Sequence, residues 1–94
     1  MQAIIYVRQR SEISLYEQFN KCADYAKRFG YSISGKVLDF EGNKFYEAVN
    51  KILPKIESTV IIIYSKNATF DNNDDYLFFK IYLEKLGHKL ISCN

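Results

Sequence analysis

Strong net charge, cysteine, histidine and long apolar runs are all scarce in this sequence, and each scarcity removes a class of function. The formal net charge is only +2 over 94 residues, too mild for phosphate-backbone binding by bulk electrostatics alone. No apolar stretch reaches the roughly 18 residues of a membrane-spanning helix, and no segment reads as a signal peptide. A reducing cytoplasm is therefore the expected compartment, and no membrane is expected as a partner. The two cysteines, Cys22 and Cys93, are expected there as free thiols rather than as a disulfide. The single histidine, His88, follows Gly87 at a helix-to-strand turn and has no companions at metal-ligand spacing. It is expected at the surface, and neither a metal nor another cofactor is expected.

What is present suffices for one hydrophobic core: 48% of residues are hydrophobic and 16% aromatic, enough to offset the conformational entropy of a single small domain without a metal or disulfides. The run QAIIYV at residues 2–7 predicts a buried, parallel strand. Ser14 and Glu17 then form a capping box, followed by a helix whose apolar positions are Leu15, Phe19, Cys22, Ala23, Ala26 and Phe29, stopped by Gly30. Residues 31–40 predict a second strand, with Ile33, Val37 and Phe40 inward and a bulge near Gly35. After a turn at residues 41–43, Phe45, Val49, Ile52, Leu53 and Ile56 mark a helix that Pro54 kinks or closes early.

Val60 to Tyr64 reads VIIIY, apolar on both faces and so central in a covered sheet. A polar loop over residues 65–74 offers Asp71, Asn72 and Asn73 as N-caps for a helix from about Asp75 to Leu86, ended by Gly87. The DNNDD run at 71–75 has neither the glycine nor the distal glutamate of a calcium loop, so capping explains it better. Residues 88–93 form a last strand. This alternation predicts an α/β fold of three layers: a mainly parallel four-stranded sheet with about three helices on its faces, in a single domain over residues 1–94.

Residues 3–18, AIIYVRQRSEISLYEQ, resemble the opening of the catalytic domain of serine recombinases (the resolvase/invertase family), which runs apolar strand, Tyr-x-Arg-x-Ser, short loop, then Ser-Leu-x-x-Gln. Tyr6 and Arg8 match, as do Ser14, Leu15 and Gln18. The similarity continues through CADYA at 22–26, Gly30-Tyr31, the strand at 60–64 and LEKLGHKLIS at 83–92. The resemblance implies the resolvase fold and, in an intact member, cleavage and rejoining of DNA.

The departures fall on the chemistry. The resemblance puts the nucleophilic serine two residues after Arg8, where this sequence has Arg10; a permanently protonated guanidinium has no lone pair with which to attack phosphorus. The Asp-Arg pair after the central strand falls on Asn67 and Ala68, and a further arginine falls on Asp71. Those arginines hold the scissile phosphate, so their loss removes electrostatic catalysis of several kcal/mol. The long dimerisation helix and DNA-binding domain that follow in the family are expected to be absent after Asn94. The protein is thus expected to be a degenerate member, not an enzyme, and carried by a phage, prophage or other mobile element.

Three sets of residues remain as candidate sites. Arg8 and Arg10, at the C-terminal end of the first strand, can form with Lys66 an anion or DNA site, next to a helix N-terminus; the bland alternative is surface charge, with Arg10 paired to Glu12 or Asp71. Ser11 reaches the old nucleophile position only through a one-residue slip, and has no base or oxyanion donors. Tyr76, Phe78, Phe79 and Tyr82 crowd one helix with aromatics: mostly core, with an exposed edge that suits a protein partner. Three functions follow: a regulator or inhibitor that binds a recombinase or a host protein, a non-cleaving nucleic-acid-binding protein using Arg8, Arg10 and Lys66, or, last, a weak site-specific DNA recombinase using Ser11. The oligomeric state is left open by the sequence.

Overall fold

A computed structural model describes residues 1–41, 45–51 and 58–94. Among the described residues four strands and four helical segments follow in the order β1 (Gln2–Arg8), α1 (Leu15–Arg28), β2 (Ser32–Asp39), α2 (Phe45–Asn50), β3 (Val60–Ile63), α3 (Lys66–Thr69), α4 (Asn73–Lys85) and β4 (Lys89–Ser92). All pairings are parallel, in the order β2-β1-β3-β4. The predicted three-layer α/β architecture is the one observed.

The side-chain alternation of β1 and β3 builds the layers, because successive residues of a strand point to opposite faces. Ala3, Ile5 and Val7 of β1 with Val60 and Ile62 of β3 pack against Cys22 and Ala26 of α1. On the other face Tyr6, Ile61, Ile63 and Leu90 meet Phe45 of α2, Phe70 just past α3, and Leu83 of α4. Every residue of β3 is fully buried, as its unbroken apolar run predicts.

Several predicted details change. Residues 65–74 are not all loop: Ser65, whose Oγ accepts from the Ala68 N–H at 3.0 Å, caps the single turn α3. α4 begins earlier than predicted, capped by Asn72, whose Oδ1 accepts from the Asp75 N–H at 2.8 Å. Gly30 and Gly87 hold positive φ at the ends of the two long helices, as a left-handed helix stop requires. In β2 the bulge falls at Ser34, beside Gly35, and Ile33 and Phe40 are exposed rather than inward. As a sheet edge, β2 has a neighbour on one side only, and only Val37 of the three predicted residues packs into the core. Phe29 is likewise exposed, lying beyond the last turn of α1. The predicted turn at 42–43 and the helix end with Ile52, Leu53, Pro54 and Ile56 lie outside the described residues, as does the side chain of Val49.

His88 is buried, not at the surface. Its Nδ1 accepts the Thr59 N–H at 3.2 Å, at the edge of the sheet where β3 and β4 begin. The histidine is drawn inward because that backbone donor, in the residue before β3, has no strand carbonyl to meet. The two cysteines also turn out to be neighbours: Cys22 Sγ and Cys93 Sγ lie 3.8 Å apart, both reduced.

Candidate anion-binding end of the sheet

The C-terminal end of β1, the loop after it and the short helix α3 bring two of the three sequence-predicted cations, Arg8 and Arg10, together, but they arrive already engaged. Arg8 closes β1 with a side chain only 10% exposed. Its Nη1 donates to the Thr69 carbonyl at 2.8 Å and its Nη2 to Asp71 Oδ1 at 3.0 Å. Arg10 follows from the loop: its Nε donates to the Ala68 carbonyl at 2.8 Å and its Nη2 to the Asn67 carbonyl at 3.3 Å. Arg10 Nη2 also lies 3.5 Å from the same Asp71 oxygen.

The partners explain the arrangement. The last carbonyls of a helix have no intrahelical donor and carry the negative end of its dipole. Carbonyls of residues 67–69, the last three residues of α3, receive the guanidinium donors of both arginines, and Asp71 supplies the balancing charge. Two cations at the strand end thus cap the C-terminus of α3. Asp71, placed by the resemblance where an arginine would hold phosphate, bridges them instead.

Lys66 does not join them; its Nζ sits 5.1 Å from the centroid of the Tyr76 ring, a cation–π contact. Ser11 is exposed, and the only histidine of the sequence is at the opposite end of the strands, on Thr59. Among the described residues no group of three or more His, Cys, Asp or Glu side chains is placed to hold a metal. No described helix is long and apolar enough to cross a membrane.

Beside the guanidinium of Arg8 opens a cavity of about 110 Å³ lined by Tyr6, Phe45, Thr69, Phe70, Asp71 and Asp75 among others. Arg8 Nε and Thr69 Oγ1 are buried there without a hydrogen-bond partner among the described residues. The Tyr6 hydroxyl donates to the Asp39 carboxylate. Burial, that hydrogen bond and the adjacent carboxylate charge all push the phenol well above its ordinary pKa, so Tyr6 stays a protonated donor.

Sequence reasoning missed the importance of Gln18. Its side chain is fully buried: Nε2 donates to the Arg8 carbonyl at 2.7 Å and to the Ile13 carbonyl at 3.3 Å, while Oε1 accepts the Arg8 N–H at 3.4 Å. An amide side chain here pairs with the peptide groups of Arg8 as a neighbouring strand would, fixing the direction in which the guanidinium leaves β1. The glutamine inside the Ser-Leu-x-x-Gln motif was the available signal.

Of the predicted aromatic cluster, Tyr76, Phe79 and Tyr82 pack against the core around Tyr6 and Phe45. Phe78 alone of the four faces outward, 60% exposed.

The sequence matches no family model and no curated protein. Solved structures do match. The protein is similar over its full length to the C-terminal catalytic domain of ISC1926 TnpA, an IS607-like serine recombinase, with a TM-score of 0.74 and 20% identity, and the match takes in 70% of that structure's length. It is similar over its full length to the N-terminal catalytic domain of TP901-1 integrase, with a TM-score of 0.78 and 20% identity, and the match takes in 78% of that structure's length. Both likenesses extend over the whole α/β unit, so the fold of this protein is that of a serine-recombinase catalytic domain.

Proposed function

We propose that this protein is a non-cleaving version of the serine-recombinase catalytic fold that acts by binding another protein, as a regulator or inhibitor of a recombinase or host protein encoded on a phage or other mobile element. One observation carries the proposal: Nη1 and Nη2 of Arg8 and Nε and Nη2 of Arg10 are already engaged by Asp71 and by the carbonyls of α3. A phosphate entering there would have to displace a carboxylate and uncap a helix, and would meet the negative charge of Asp71 and Asp75. The position that the resemblance gives the nucleophile holds Arg10, and among the described residues no hydrogen bond joins the exposed Ser11 hydroxyl to a general base. On this reading the positions that the resemblance assigns to chemistry serve stability.

The test is incubation with supercoiled and nicked DNA followed by denaturing electrophoresis. No covalent protein–DNA adduct is expected, and an adduct abolished by Ser11→Ala would overturn the proposal. In parallel, Asp71→Ala is expected to release Arg8 and Arg10 and so create a weak, salt-sensitive affinity for single-stranded DNA that the unaltered protein lacks. Should the unaltered protein bind DNA with a steep salt dependence lost in Arg8→Ala/Arg10→Ala, the nucleic-acid reading replaces this one. Affinity capture from host lysate, with and without nuclease, then identifies the protein partner.

A further inference from the structure

α4 carries two apolar faces, and the monomer uses one. Leu83 is buried, with Tyr76, Phe79 and Tyr82 packed beside it on the core. On the other side Phe78 is 60% exposed, Ile81 54% and Leu77 43%. Phe78 and Ile81 lie within a single stripe whose members Asp74, Phe78, Ile81 and Lys85 recur at spacings of four, three and four, the pattern of a helix–helix seam. All four are exposed. Neither Asp74 nor Lys85 has an ion-pair partner among the described residues.

We propose that this stripe is covered by a second copy of the protein, with the two α4 helices antiparallel about a two-fold axis between Phe78 and Ile81. Charge complementarity selects the occupant. Read along the helix, the stripe is acid, aromatic, aliphatic, base; the surface that complements it is the same stripe reversed. Antiparallel pairing sets Phe78 against Ile81 of the second copy and Asp74 against Lys85 of the second copy, and two-fold symmetry repeats each contact. Parallel pairing would instead set Asp74 on Asp74 and Lys85 on Lys85. At about 100° per residue, Asp75 and Glu84 fall on opposite flanks of the stripe and do not oppose each other across the seam. The inference holds whichever way the DNA assays fall, because it uses no residue of the arginine cluster.

One helix face about 20 Å long is small for an interface, so the dimer is weak and reversible, with a dissociation constant in the micromolar range. Sedimentation velocity over a concentration series is expected to show a monomer–dimer equilibrium. Asp74→Lys alone and Lys85→Asp alone each turn two attractions into repulsions and are expected to weaken the dimer about tenfold. The double variant Asp74→Lys/Lys85→Asp restores both pairs in reversed polarity and is expected to recover the original affinity; a partner of any other composition would not be recovered this way. All of these side chains are exposed, and circular dichroism checks that the fold persists. A protein that stays monomeric at every concentration, or a dimer indifferent to the single charge reversals, overturns the proposal.

Discussion

At the scale of single residues, Asp71 and Gln18 decide how the strand end behaves. Asp71 is 61% exposed, so its attraction to Arg8 is screened by water, and Asp71→Asn is expected to cost only about 1 kcal/mol in urea unfolding. Gln18 is different: Gln18→Ala leaves the Arg8 N–H and carbonyl buried without partners, and is expected to cost about 2–4 kcal/mol. A loss below that of Asp71→Asn would show that water takes over the role of the amide. Both residues stood inside quoted motifs, yet their meaning depends on contacts 63 and 10 positions away in sequence. No local pattern reports such distances.

His88 gives a pH dependence. Burial lowers its pKa below the ordinary 6.5, so the unfolded state takes up the proton first. Its contribution to stability is complete above pH 6.5 and falls as the pH drops through and below that value, by at most about 1.4 kcal/mol per pH unit. His88→Asn keeps an acceptor for the Thr59 N–H and removes the titration. The stability difference between the two proteins should therefore grow less favourable to histidine between neutrality and mild acid. A difference that is flat with pH would mean that His88 titrates alike in both states.

At the scale of elements, the strands and long helices were legible because each carries a local signal strong enough to stand alone. The VIII of β3 reads as a doubly covered strand, and Ser14 and Asn72 cap the two long helices by chemistry confined to four consecutive residues. Asn72→Ala should lower stability by about 1 kcal/mol, and Ile62→Ala by about 2–5 kcal/mol, both read from urea midpoints at unchanged slope. The single turn of α3 was not legible. Four residues carry no periodicity, and besides the Ser65 cap what stabilises them is a pair of arginines, Arg8 from the end of β1 and Arg10 from the loop after it. Ile33 and Phe40 misled for other reasons: the bulge at Ser34 pairs Ile33 with Ala3 and Val37 with Tyr6, on opposite faces of the sheet, and Phe40 lies beyond the end of β2.

At the scale of the molecule, the order of the sheet joins sequence-distant parts, and the cysteines show it. Cys93, just past β4, meets Cys22 on α1. The hydrogen bond from Cys22 holds the Cys93 thiol below its ordinary pKa, while that bond and burial raise Cys22. Both are expected to remain thiols under reducing conditions. In vitro, diamide is expected to remove one hydrogen from each and close a disulfide, detected as loss of two hydrogens by mass and as a rise in stability of roughly 4 kcal/mol. Persistence of two free thiols after oxidation would show that the sulfurs cannot approach from 3.8 Å to bonding distance.

The central position of β1 bears on synthesis. A ribosome releases this strand before β3, one of its two neighbours, whose pairing begins at Val60. Until that segment has left the exit tunnel, Ala3, Ile5 and Val7 have a helix on one face but an open edge on their flank. Over that interval the nascent polypeptide presents an unpaired apolar strand edge, and fast elongation through residues 32–63 shortens it.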